Sequence, residues 1–257
     1  MDEILVATLN LHNRRHRWPD RRELIVSELL DSRPDVVSLQ EIFVPLGQAK
    51  WLRNQINSRI SGKSYEPYLL VQRRRKHPFR GYTEGVGILS QMPILAHDAI
   101  SLGVGGKIVV RANIELPSQR TFDFIAVQLQ QGPDAKQTRL EQTMRLVGWI
   151  QTQNPAPIQI IAGDLNEIPG GVAIEYLRQH YRSVFVEDRG YDPVATFPTL
   201  LVENQDGWSG CLDYIFISKE AGEVVSAKIF CKKPSTNDST LYPSDHVGLL
   251  ARLQVMS

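Results

Sequence analysis

The segment 158–171, IQIIAGDLNEIPGG, runs apolar from Ile158 to Ala162 and then delivers Asp164 and Asn166 with only Leu165 between them. In an extended chain, residues i and i+2 share a face. A carboxylate and a carboxamide would then reach into one cleft, although Gly, Asp, Asn and Pro also build ordinary loops. The pattern recurs. ILVATLN ends on Asn10, DVVSLQE ends on Gln40 and Glu41, LDYIFI carries Asp213 near its start, and Asp245 and His246 precede VGLLARL. Carboxylates buried together without cations are costly, so such a cluster normally holds a metal. Oxygen donors without cysteine point to a hard divalent ion, Mg²⁺ or Mn²⁺, and away from structural zinc.

Those residues must be positioned by strands. Short apolar, β-rich segments occur at 4–9, 35–39, 68–72, 85–90, 107–114, 121–127, 158–162, 212–217 and 247–253. Several are apolar on both faces, as expected of strands buried between two layers. Helical spacing appears at 19–32, with Ile25, Val26, Leu29 and Leu30 on one stripe behind a Pro-Asp start. It appears again at 136–151, with Leu140, Met144, Val147 and Ile150, and a shorter helix is expected at 172–179. Many strands with a few long helices imply two packed sheets covered by helices. The longest irregular region, 188–211, lies between strands and reads as a loop over the site. No repeat, low-complexity tract or linker divides the chain, so residues 1–257 are taken as a single domain.

Composition is that of an ordinary globular protein, 42% hydrophobic and 22% charged. The formal charge of +1 excludes a global basic field, so any polyanion site must be a local patch. Cys211 and Cys231 form no CxxC and allow at most one disulfide. The acidic N-terminus MDEILVATLN lacks signal-peptide character, and no stretch approaches the roughly 20 apolar residues of a membrane span. A soluble cytoplasmic protein, monomeric, is the expectation.

Six motifs, LNLHN, PDVVSLQE, EGVGILSQMPI, IIAGDLNEIPGG, CLDYIFIS and YPSDH, stand in the order and approximate spacing of the endonuclease/exonuclease/phosphatase (DNase I-like) superfamily. Each alone is weak; six in order, from about residue 4 to 253, make the chain resemble that superfamily over essentially its whole length. The resemblance implies an α+β fold, a four-layer α/β/β/α sandwich with two mixed sheets face to face. It implies hydrolysis of phosphate esters with Mg²⁺ or Mn²⁺. Carried over by motif, Glu41 is the principal metal ligand, with Asn10 and Asp245 nearby. Asp164 orients or deprotonates the attacking water, and Asn166 donates its amide to the phosphoryl group. His246 contacts the scissile phosphate and is oriented by Asp213. The physics agrees: a dication supplies charge and lowers the pKa of bound water, and a carboxylate beside an imidazole stabilises its cationic form.

One motif departs. Where many relatives read something like NTHL, this chain has AVQLQQ at 126–131, while Arg139 and Gln142 keep the usual RxxQ helix start. Gln128 therefore stands where a phosphate-contacting His is expected, and an amide cannot be protonated. Two readings stay open: an enzyme relying on metal and His246, or a weakened relative that mostly binds nucleic acid.

Two basic clusters stand out, RRHRWPDRR at 14–22 and QRRRKHPFR at 72–80. Either they are solvated faces, with Arg21 and Arg22 on the outside of a helix, or they line a polyanion groove. In the second case Arg73, Arg74 and Arg75 bind the backbone, and Trp18, Phe79 or Tyr82 stacks on bases. The expected activity is a metal-dependent nuclease or DNA-end-processing phosphodiesterase, with DNA favoured over RNA as partner. The alternative is a phosphatase or phosphodiesterase on a small or lipid phosphate ester.

Overall fold

A computed structural model describes residues 2–62, 66–75 and 83–255. Twelve strands are described: β1 (Asp2–Asn10), β2 (Val36–Phe43), β3 (Leu69–Arg74), β4 (Glu84–Ser90), β5 (Ile94–Ser101), β6 (Ile108–Glu115), β7 (Thr121–Gln128), β8 (Ile158–Asp164), β9 (Tyr181–Ser183), β10 (Asp213–Ser218), β11 (Gly222–Phe230) and β12 (Gly248–Val255). Five helices accompany them: α1 (Trp18–Ser32), α2 (Gln48–Ile60), α3 (Lys136–Thr152), α4 (Val172–His180) and α5 (Val184–Arg189). One six-stranded sheet has the order β11-β12-β1-β2-β4-β3, and the other has β5-β6-β7-β8-β10-β9. Each contains one parallel pair, β1 with β2 and β7 with β8, among antiparallel neighbours. The fold is the expected α+β sandwich of two mixed sheets with helices outside.

Period-2 alternation builds the core. Ile4 and Val6 of β1, Ile158, Ile160 and Ala162 of β8, and Phe122, Phe124 and Ala126 of β7 all point between the sheets, into one apolar cluster. The opposite faces pack against helices. Ala7, Leu9, Val37 and Leu39 meet Ile25, Leu29, Leu52 and Ile56 of α1 and α2. Val127, Ile125 and Ile161 meet Leu146, Val147, Ile150 and Leu177 of α3 and α4. A polar chain ties the sheets together beneath the site. Thr8 Oγ1 donates to Gln40 Oε1 at 3.2 Å, Gln40 Nε2 to Ser38 Oγ at 2.6 Å, and Ser38 Oγ across the gap to Ala162 O at 2.7 Å.

Nine expected strands and three expected helices are present; β5, β9, β11, α2 and α5 were not expected. Met144 is 49% exposed, so it does not belong to the stripe assigned to it. The buried face of α3 is Arg139, Gln142, Thr143, Leu146, Val147 and Ile150. Cys211 and Cys231 are buried and unpaired. No helix among the described residues is long and apolar enough to cross a membrane.

Arg21 is a second correction. It is fully buried, not on the outside of α1. Its guanidinium donates to Leu11 O (2.8 Å), His12 O (3.1 Å), Asn13 O (2.9 Å), His16 O (3.0 Å) and Pro243 O (2.9 Å). A planar fork with five N–H groups suits several carbonyls at once. It fixes the β1–α1 connection against the segment that leads into β12. Burial lowers its pKa to about 10, which leaves it charged at neutral pH. Arg21→Met strands those carbonyls and is expected to cost on the order of 3 kcal/mol. Arg21→Lys should recover little of it, because an ammonium cannot span both segments. Urea unfolding with unchanged midpoints would contradict this.

Candidate active site

The inward columns of the core end in polar residues at one edge of the sandwich. Parallel pairing sets Asn10 beside Gln40 and Gln128 beside Asp164. Antiparallel pairing sets Asp213 opposite Asp164. Each of these side chains continues the inward face of its strand by alternation, so a carboxylate caps a column of isoleucines and alanine in β8.

Glu41 reaches the same place by a different device. Alternation would turn it away from the interior, since Ser38 and Gln40 already point inward. The register between β2 and β4 shifts between Leu39 and Ile42, and Glu41 adopts φ 50°. A bulge with a left-handed residue re-aims its side chain, and such a conformation in a non-glycine residue is uncommon. Asn166 is likewise left-handed, at φ 50°.

Asp164 is the hub. Asn10 Nδ2 donates to its Oδ2 at 3.0 Å, Gln128 Nε2 at 3.1 Å and Asn166 Nδ2 at 3.0 Å; the Asn166 backbone N–H donates to Oδ1 at 3.0 Å. Leu165 turns into the core between α3 and α4. Burial pushes the Asp164 carboxyl up and Asp213 pushes it further, against His246, Lys107 and the Gln128 hydrogen bond; the net shift is upward. Gln128 Nε2 also donates to Glu41 Oε1 at 3.0 Å. Flanked by two carboxylates, the amide must present its NH₂ to both. Its donors therefore hold the two acids together.

His246 Nδ1 lies 2.8 Å from Asp213 Oδ2. Burial by itself would lower the imidazole's pKa. The Asp213 charge and hydrogen bond, with Asp245 and Asp164 behind them, outweigh it and hold the pKa well above the ordinary value. The Phe197 ring packs 4.9 Å from the imidazole. Asp245 is engaged by His12 Nδ1 at 2.7 Å and by Ser244 Oγ at 3.1 Å. Burial would raise its carboxyl, but the His12 hydrogen bond and the His246 charge bring it below its ordinary value. The 190–211 segment packs over this edge, with Thr199 N donating to Asp245 O at 2.7 Å and Val247 N to Thr196 O at 2.9 Å.

All seven residues expected to act on metal, water or phosphate (Asn10, Glu41, Asp164, Asn166, Asp213, Asp245 and His246) are therefore gathered at one edge, with Gln128 among them. The basic cluster divides. Arg73 and Arg74 are exposed, and Arg73 Nη2 lies 3.3 Å from His97 Nδ1. Arg75 is buried, paired with Glu84 at 2.9 Å and donating to Gly105 O at 2.7 Å. It braces the edge and is not part of an exposed patch. Trp18 is buried against Trp51, at 6.0 Å between rings, and cannot stack on a base. Lys76, Phe79, Arg80 and Tyr82 lie outside the described residues. Sequence reasoning missed His12, Glu84 and Lys107. LHN and the TEG start of β4 offered faint signals for the first two.

Among the described residues no three His, Cys, Asp or Glu side chains gather closely enough to hold an ion by themselves. An ion here would need amide oxygen as well, and the donor set of Glu41, Asn10 and Asp245 is all oxygen. Burial raises the Glu41 carboxyl first, and repulsion from Glu84, Asp245 and Asp164 raises it further, with only His246 opposing. That under-compensated negative charge fits a hard dication.

Two stacked sheets with an acid-, amide- and imidazole-lined edge define the class of phosphoester-hydrolysing sandwiches. The sequence profile of the Endonuclease/Exonuclease/phosphatase family matches residues 7–246, and the chain belongs to that family. Its members are hydrolases acting on phosphoester bonds. Among solved structures, the human Nocturnin catalytic domain with bound sulfate anion is similar at TM-score 0.78 and 20% identity, covering 99% of this chain and 94% of that one. D. rerio TDP2 complexed with single strand DNA product gives 0.78 and 20%, covering 98% and 99%. An endonuclease/exonuclease/phosphatase from Bacteroides vulgatus gives 0.78 and 16%, with both chains covered fully. No curated protein matches the chain at the level of sequence.

The His246 shift carries a sign. The folded state binds this proton more tightly than the unfolded state, so the stabilisation is complete below the unfolded value of about 6.5 and is lost as pH rises through the folded one. Without metal, the stability difference between wild type and His246→Asn should be largest near about pH 5.5 and shrink steadily above about 6.5. A difference independent of pH in urea unfolding would mean that the imidazole is neutral.

Proposed function

We propose that the chain is a Mg²⁺- or Mn²⁺-dependent phosphodiesterase, a nuclease or DNA-end-processing hydrolase that uses water as its nucleophile. The observation that carries this reading is the hub at Asp164. A buried carboxylate with a raised pKa is held between three amides, next to Glu41 and across from the His246–Asp213 pair.

Glu41, with Asn10 and Asp245, would hold the ion, which when bound supplies positive charge to the phosphoryl oxygens and lowers the pKa of water. Asp164 orients the attacking water and takes its proton; a carboxyl shifted upward is the better base for that step. Water oxygen bonds to phosphorus as the bond to the leaving oxygen breaks. The Asn166 amide adds a neutral hydrogen bond to the phosphoryl group, and the His246 imidazolium, held by Asp213, faces a non-bridging oxygen. Gln128 keeps Glu41 and Asp164 at hydrogen-bond distance from a shared donor, a task that needs no protonation. This favours the working-enzyme reading over the weakened one.

DNA is the favoured substrate class. The support is the exposed pair Arg73 and Arg74 on β3, exposed Arg14 and Arg15 beside the β1–α1 connection, and a TDP2 similar in fold that was solved with a single strand DNA product.

A panel of plasmid, single-stranded oligonucleotide, 5′-blocked ends, RNA and phospholipid, each with Mg²⁺ or Mn²⁺ and with chelator, tests the activity. Asp164→Asn is expected to lower the rate by about 10²-fold or more with folding intact. Equal rates for wild type and variant would overturn the role of Asp164, and hydrolysis of phospholipid alone would move the substrate class. Separately, Arg73→Ala with Arg74→Ala should lower the slope of log affinity against log salt by about 1–2. An unchanged slope would remove β3 from the DNA path.

A further inference from the structure

The same edge carries a cation that no hydrogen bond or ion pair among the described residues accounts for. Lys107 immediately precedes β6, where Val109 pairs with Val127 of β7, so by register it lies one residue beyond the level of Gln128. It is 1% exposed. Its Nζ has no hydrogen-bond partner among the described residues and enters no salt bridge there. The charges that act on it are Arg75, Asp164, Glu41 and Glu84, so the ammonium sits within the electrostatic reach of the hub and its neighbours. Burial, with Arg75 adding to it, lowers its pKa to about 8.

The turn that leads into Lys107 is glycine-rich and held from both sides. Gly103, Gly105 and Gly106 have φ of 89°, 74° and 65°, conformations that favour glycine. A Cβ at Gly105 would come within 1.9 Å of Gln130 Oε1. Arg75 Nη2 donates to Gly105 O at 2.7 Å, Gln142 Nε2 to Val104 O at 3.0 Å, and Leu102 N to Lys107 O at 2.7 Å. The loop is thus clamped by Arg75, just past β3, and by Gln142 of α3, and Lys107 is held without being spent. A lysine meant only to neutralise Glu41 or Asp164 would touch one of them. A buried ammonium left short of every carboxylate is destabilising, and it becomes favourable when an anion enters between.

We propose that Lys107 is a phosphate-contacting catalytic residue: its ammonium donates to a non-bridging oxygen of the phosphoryl group and supplies, from the turn before β6, the positive charge that the neutral amide of Gln128 cannot. This rests on the hydrolase reading for its chemistry, but anion binding can be measured without turnover. No bond to Lys107 forms or breaks; it acts by hydrogen bond and charge alone.

The test is thermal unfolding of wild type and Lys107→Met across a titration of inorganic phosphate, with Mg²⁺ and with chelator, alongside kcat and KM on the best substrate of the panel. Without phosphate, Lys107→Met should unfold at the same or a higher temperature than wild type, since an unpaired buried charge has been replaced by an apolar chain of similar length. The phosphate-dependent rise seen in wild type should be lost, with affinity weakened about tenfold or more, and kcat should fall by about 10²-fold. Lys107→Arg, which keeps the charge, should retain part of the phosphate response. Phosphate affinity equal to wild type in Lys107→Met would overturn the assignment, as would a variant less stable than wild type without phosphate, since the ammonium would then belong to the fold. If wild type binds phosphate through Lys107 yet hydrolyses nothing, the hydrolase reading fails and the catalytic role of Lys107 with it, while its contact with phosphate stands.

Discussion

The structure depends on how one dry edge accommodates more negative charge than it can shed. Asp164, Glu41, Asp245 and Asp213 approach one another where water is scarce, and burial alone would protonate them or force them apart. Each is answered by a specific partner: three side-chain amides for Asp164, one of them shared with Glu41, His12 for Asp245 and His246 for Asp213. What remains uncompensated is concentrated on Glu41, whose neighbours repel it. The rest of the edge gives that residual charge a fixed address.

Holding the partners in place requires the elements behind them to be rigid, and the means is buried hydrogen bonding more than apolar packing. Arg21 binds carbonyls from both the β1–α1 connection and the segment before β12, so His12 and Asp245 are brought together by one guanidinium. Arg139 does similar work on the other side. It pairs with Glu167 at 3.0 Å and donates to Gln130 O and Gly132 O, fixing the turn after Asn166 to the start of α3. The Thr8–Gln40–Ser38–Ala162 chain locks the two sheets in depth. Fully satisfied networks of this kind are strong in a low-dielectric interior.

Position 128, where the resemblance implies an imidazole, carries an amide whose geometry gives it a task of its own. At that position the donor faces two acids, and a neutral NH₂ can serve both without adding or removing a proton. In the proposed reaction, charge toward the phosphoryl group then falls to His246, with its raised pKa, and to other cations at the edge. The fold hosts many phosphoester chemistries, so selection among substrates rests on the loops that rim this edge, where Phe197 already packs on His246 and Trp208 lies 6.3 Å from Phe197.

The sequence by itself determined the inner strands, because a strand buried on both faces must be apolar throughout and ends visibly where a polar residue begins. It also determined the polar caps, since Asp164, Asn166, Glu41, Asp213, Asp245 and His246 interrupt such runs. Edge strand β5 was not legible because most of its side chains face solvent and carry no periodic signal. In α2 the spacing of Ala49, Leu52, Ile56 and Ile60 was present, but no side chain caps the start and polar residues dominate. Tertiary structure alone decided what arginine and lysine do. Arg14, Arg21, Arg75 and Lys107 are all cations in basic or glycine-rich surroundings, yet the first is exposed, the second and third are buried against carbonyls or a carboxylate, and the last is buried without a described partner. Charge can be read from a residue's name, but whether water or protein surrounds it depends on which distant strands arrive beside it.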